Sequence, residues 1–234
     1  MYRFVSCLLL AGFALHAEEA KKSYLPAGIP DLQGVWSNKW IVDMANGRFA
    51  EKTVEVPFTA WGKKLWDERT GNLQKEDPTL NCLPTGVPRQ QGTPYPTQIV
   101  QTPDLAIILY EGAAHTYRII PTDGRPHKKN AEELWMGDPV GHYEGNALVI
   151  DSIGFNDRTW LDSSGHPHSD KLHLTEKFIK VDAKNMRYEV TIDDPVAYTK
   201  PWTTTYLLTQ EPGMEIMEYW CTENERDRVH MVGK

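Results

Sequence analysis

His115, His127, His142, His166, His168 and His173 crowd one central stretch, leaving only His16 and His230 of the eight histidines outside it. Imidazole is the side chain whose charge changes nearest neutral pH, so such a cluster suggests proton transfer or metal ligation. Gly145-Asn146 is a good tight-turn pair. A hairpin turning there sets Glu144 opposite Ala147, Tyr143 opposite Leu148, His142 opposite Val149, Gly141 opposite Ile150 and Val140 opposite Asp151. Alternation then places His142, Glu144, Val149 and Asp151 on one face, and Tyr143, Leu148 and Ile150 on the other. The polar face looks either into water, the ordinary outcome for an antiparallel sheet, or into a polar barrel interior where Asp151 would orient the His142 ring from a diagonal position.

The acid/base candidates are His115, His142 and His173, with Asp151 as orienter. His115 shares a strand face with Tyr117, while Arg118 points the other way and could hold an anionic or carbonyl oxygen. Tyr117, Glu144, Asn156, Asp157 and Trp160 are candidates for substrate contact, Trp160 either stacking on a ring or plugging the end of the fold. His166 and His168, with Asp170 and His173 close behind, offer a ligand set for a divalent metal such as zinc. They serve equally well as a hydrogen-bonded brace for the loop after Asp162-Ser163-Ser164-Gly165. Glu176 and Asp193 sit in otherwise apolar strands, where an ionised carboxylate is costly unless it is paired, functional or at a solvent-facing edge.

These residues need a scaffold of strands. Segments 98–101, 105–110, 116–121, 148–153, 171–181, 186–192, 202–208 and 215–221 are short, rich in β-branched and aromatic residues, and separated by turn chemistry. A first strand begins at Asp31-Leu32-Gln33-Gly34-Val35-Trp36. One short amphipathic helix is predicted over 60–69, capped by Thr59. Segment 71–96 is broken by repeated prolines and glycines and is too long for an ordinary connection. The expectation is an all-β fold: a single antiparallel, lipocalin-like β-barrel of about 8–10 strands with one short helix. A two-sheet sandwich is the alternative.

At the N-terminus Arg3, an apolar run over 4–15 and Ala17 before Glu18-Glu19 have the layout of a secretory signal peptide. The expected organisation is a signal peptide at 1–17, an extended arm at 18–30 and one barrel domain at 31–234. No other apolar run approaches membrane-spanning length. Of three cysteines, Cys7 would leave with the leader. Cys82 and Cys221 remain as an even pair, most simply one disulfide in a periplasmic or secreted protein. It would tie an early loop to the last strand and contribute on the order of 4–5 kcal/mol.

A formal net charge of −7, made more negative once Arg3 is removed, argues against nucleic acid as a partner. The absence of a Gly-x-Ser-x-Gly elbow, a phosphate-binding glycine loop or a dinucleotide fingerprint argues against serine hydrolases, kinases and any nucleotide cofactor.

Trp135-Met136-Gly137-Asp138, Gly141-His142-Tyr143-Glu144-Gly145-Asn146, Gly154-Phe155-Asn156-Asp157, His166-Pro167-His168-Ser169-Asp170 and Thr199-Lys200-Pro201-Trp202-Thr203 together resemble a broad group of exported bacterial proteins of unassigned function. The resemblance implies export and brings no mechanism with it. Gly34-Val35-Trp36 is similar to the first strand of the lipocalins, which implies a ligand-holding barrel. The function expected is that of an exported lyase, hydrolase or isomerase, acid/base or metal-assisted, acting on a small polar-aromatic or carbohydrate-derived molecule. The alternative is a non-catalytic small-ligand carrier with Trp36, Tyr117, Trp202 and Tyr206 inside and the histidines outside.

Overall fold

The computed structural model describes residues 24–112, 116–130 and 132–222. The expected signal peptide and His115 lie outside them.

Nine strands form one sheet: β1 (Gly34–Ser37), β2 (Thr97–Gln101), β3 (Leu105–Tyr110), β4 (Tyr117–Pro121), β5 (Asp138–Glu144), β6 (Ala147–Ile153), β7 (His173–Lys180), β8 (Asn185–Asp193) and β9 (Trp202–Gln210). Their order is β4-β3-β2-β1-β9-β8-β7-β6-β5, every ladder is antiparallel, and the sheet curls into a nearly closed barrel. The barrel expectation therefore holds. Residues 215–221, expected as a last strand, lie outside regular structure. Pro212-Gly213 follows one residue after β9, in a turn where Gly213 takes a positive φ of 78°.

The one seam follows from strand number. Around a ring of alternating directions, an odd count leaves one neighbouring pair parallel, and here that pair is β4 and β5. Parallel neighbours need a crossover rather than a hairpin, and residues 127 and 128 of that connection meet Asp151 and Asp138 on the outer face of the barrel. The described residues show no ladder between β4 and β5. Pro139 lacks the N–H such a ladder would use. Farther along, Gly141 lets the strands close by packing: a Cβ there would come within 2.8 Å of Ile120 Cγ2.

The hairpin at Gly145-Asn146 has the register expected from sequence, from Glu144 opposite Ala147 to Val140 opposite Asp151. Its apolar face points inward, with Leu148 and Ile150 fully buried. Ala106, Ile108, Leu174, Phe178, Met186, Tyr188, Val190 and Ile192 join them. Burying a side chain such as Phe178 contributes about 2–3 kcal/mol, which is why this face, rather than the one bearing Asp151, turns inward.

The helix α1 (Ala60–Gly71) begins at Thr59, whose hydroxyl accepts from Gly62 N at 3.0 Å. Gly62 presses on the Ala197 carbonyl, where any Cβ would collide at 2.2 Å. This contact seats α1 beside the 194–199 turn. Cys82 and Cys221 are bonded, with Cα atoms 5.6 Å apart, as an oxidising compartment allows. Among the described residues no helix is long and apolar enough to cross a membrane.

Candidate acid and base site at the barrel seam

Asp138 opens β5, Asp151 lies near the end of β6 and His173 opens β7, so the outward face at one end of three adjacent strands gathers all three. The β4–β5 crossover lays His127 over them. His127 Nε2 is 2.7 Å from Asp151 Oδ1, and its Nδ1 is 3.3 Å from Asp138 Oδ2. His173 Nε2 is 2.7 Å from the other Asp151 oxygen. The Lys128 backbone N–H donates to Asp138 Oδ2 at 2.9 Å, fixing the crossover at the same point. The row Asp138, His127, Asp151, His173 thus alternates carboxylate and imidazole.

The row is partly open to solvent: side-chain exposure is 21% at His127, 37% at Asp151 and 41% at His173. Burial pushes the Asp151 carboxyl up, but hydrogen bonds and charge from His173 and His127 outweigh it and hold the carboxyl below its ordinary value. A carboxylate facing His173 Nε2 keeps the proton on that nitrogen and leaves the lone pair on Nδ1, the tautomer a general base needs. His127 faces carboxylates at both nitrogens and can donate to both only when doubly protonated, which suits a proton store or general acid.

Asp138 also lines a cleft of about 620 Å³ where the seam splays open, walled by Tyr117, Ile119, Lys128, Leu134 and Trp135. Tyr117 and Ile119 are exposed on the outward face of β4. The cleft therefore pairs apolar and aromatic walls with one carboxylate, Asp138, and the cations Arg125 and Lys128.

His142 stands beside this row without joining it: its Nε2 meets Glu144 Oε1 at 2.8 Å, both side chains are exposed, and the expected Asp151 partner is taken by His127 and His173. Tyr117 points outward, and Arg118, on the opposite face, fills the interior. The Arg118 guanidinium pairs with Glu176 at 2.7 Å, both side chains fully buried, and donates to Ser152 Oγ at 2.8 Å. The Tyr188 hydroxyl donates to Glu176 Oε1 at 2.8 Å. Burial disfavours the Arg118 charge, but Glu176 beside it more than compensates and raises its pKa. The carboxylate that looked costly in an apolar strand is therefore paired.

His166 and His168 diverge. Asp162 accepts from Met44 N and His166 Nδ1 through one oxygen, and from the Ser164, Gly165 and His166 backbone N–H groups through the other. The His166 ring stacks on Phe58 and Trp66. Burial works against its charge, but Asp162 wins and raises the His166 pKa. Buried His168 is held below the ordinary imidazole value by desolvation; its Nδ1–H donates to the Ser169 carbonyl at 3.0 Å and Nε2 accepts from Thr159 Oγ1 at 2.7 Å.

Asp43, Asp162 and His166 are the described residues whose ligand atoms converge, within 4.8 Å; His168 is not in that group. With both Asp162 oxygens accepting hydrogen bonds, the donor chemistry fits a loop brace better than a metal shell.

Trp160 is buried with Arg69 4.7 Å from its ring centre, which makes it a plug rather than an exposed stacking surface. Asn156 is buried and caps Arg158 N, whereas Asp157 is exposed.

His127 and Asp138 were not separable in the sequence from loop and turn residues. The available signal was indirect: an odd strand count with one long connection forces a crossover past the strand ends. No protein-family model matches the chain, and no curated protein or solved structure matches it.

Proposed function

We propose that the protein is a periplasmic or secreted acid/base enzyme, a lyase, hydrolase or isomerase, working at the seam. The observation that carries this is Asp151 bridging two part-exposed imidazoles, one of which also meets Asp138 at the edge of a cleft of about 620 Å³. His173 is the general base, Asp151 orients it, and His127 with Asp138 holds the exchangeable proton. Tyr117 and Trp135 on the cleft walls suit a small ring-bearing polar molecule, aromatic or carbohydrate-derived.

The test is a mass-spectrometric screen of the purified protein against hydroxylated aromatics, lactones, glycosides and uronates. Conversion should disappear in Asp151→Asn and His173→Ala variants that keep the native circular dichroism and melting temperature. Conversion that survives both variants sinks the assignment.

A non-catalytic ligand barrel is the second reading. It is supported by Trp36, Trp202 and Tyr206 inside and His142 and His173 outside, whereas Tyr117, expected inside, is exposed and His166 and His168 are buried. Against it, the Arg118–Glu176 pair spans the interior between β4 and β7.

A further inference from the structure

After β9 the described chain leaves the sheet and stays against the loops beside it. Residues 211–222 fold back without regular structure: Met217 N donates to Glu111 Oε2 at 2.8 Å, the Tyr219 ring packs on Tyr95 at 4.9 Å, and Cys221 is bonded to Cys82. Between this tail and the 71–96 loop lies a second cleft, of about 360 Å³. That volume is within the range of sites that enclose small molecules.

The walls say what such a molecule would be. Trp40, half-exposed, stands on one side and the Tyr95–Tyr219 pair on another. Thr93 and Ser163 add hydroxyls. Among the described lining residues Arg89 alone is charged, and its guanidinium is clamped by Asp77 through two bonds of 2.8 and 2.6 Å. A clamped cation gives little to an anion, and the rings favour a flat π-system. Both cysteines line the cleft, and the bond between them ties the tail wall to the loop wall.

We propose that this cleft binds a small, uncharged, planar aromatic molecule carrying a hydroxyl group, and that the Cys82–Cys221 bond builds the site by holding Tyr219 against the loop. The site shares no residue with the seam cleft and does not depend on the acid/base reading.

Isothermal titration of the full chain with 1-naphthol tests it. Saturable binding is expected. Removing one wall ring in Tyr219→Ala should weaken it roughly tenfold, in line with the loss of an aromatic contact and its buried area. Cys82→Ser/Cys221→Ser should weaken it at least as much while the barrel's circular dichroism persists, and Asp151→Asn should leave it unchanged. No saturable heat, equal affinity in Tyr219→Ala, or affinity lost instead in the seam variant Trp135→Ala would overturn the site. Native affinity in a folded cysteine-free variant would overturn the role of the disulfide.

Discussion

His127 Nε2 lies 2.7 Å from Asp151 Oδ1, a contact between the outer crossover and the barrel wall that leaves the second Asp151 oxygen for His173. An asparagine at 151 would present one acceptor and one donor, so one imidazole must lose its partner or turn over. Asp151→Asn is expected to cut turnover by roughly 10²–10⁴. The melting temperature should move little, because solvent-screened pairs of this kind contribute about 0–1 kcal/mol. Kinetics and calorimetry on one preparation check this; parallel loss of stability and activity would mark the row as a latch for the crossover.

The interior pair should behave in the opposite way. Glu176→Ala leaves the buried Arg118 guanidinium uncompensated and is expected to cost about 3–5 kcal/mol in urea unfolding. Arg118→Met with Glu176→Leu removes both charges and should recover most of that loss, because two desolvation penalties vanish together. If the double variant is as unstable as the single one, the pair contributes packing or hydrogen bonding that apolar residues of similar size do not replace.

His166 and His168 lie two residues apart and should tilt the pH dependence of stability in opposite directions. The His166 pKa is raised through Asp162, so its contribution is fully present below the ordinary imidazole value and is lost as pH rises through the raised one. The His168 pKa is lowered by burial, so its contribution is present above the ordinary value and is lost as pH falls toward the lowered one. Asp162, also lowered, loses its share only in stronger acid. Urea midpoints between pH 5 and 9 should therefore show His166→Gln flattening the alkaline decline and His168→Gln flattening the acid one. Identical pH profiles for the two variants would contradict the assignment.

What the sequence makes legible here is local. The Gly145-Asn146 turn and the alternation after it specify every pairing of that hairpin, and Thr59 specifies the start of α1, because neighbouring residues decide both. The inward face of the hairpin depends on the whole ring of strands, so His142 and Asp151 can be seen to share a face without that face being located. His127 is harder still. It joins Asp138 and Asp151 only because the β4–β5 connection must cross the outside of the barrel, a consequence of strand count rather than of any residue near it. Arg118 and Glu176 show a middle case: each looks costly alone, and the partner 58 residues away resolves both.

The seam itself makes the last prediction. β4 and β5 meet without a ladder, so packing must hold them, and Gly141 against Ile120 is the close contact. A Cβ at position 141 would stand 2.8 Å from Ile120 Cγ2 and 3.2 Å from the Val149 carbonyl. Neither neighbour can simply swing aside, since Cγ2 is fixed on a β-branched carbon and the carbonyl belongs to the β5–β6 ladder. Gly141→Ala is therefore expected to cost about 1–3 kcal/mol as overpacking. In an Ile120→Ala background the new methyl has room, so the same change should cost less than half as much, a coupling of about 0.5–3 kcal/mol between the two sites. Strict additivity of the two substitutions in urea unfolding would show that the strands are held together elsewhere.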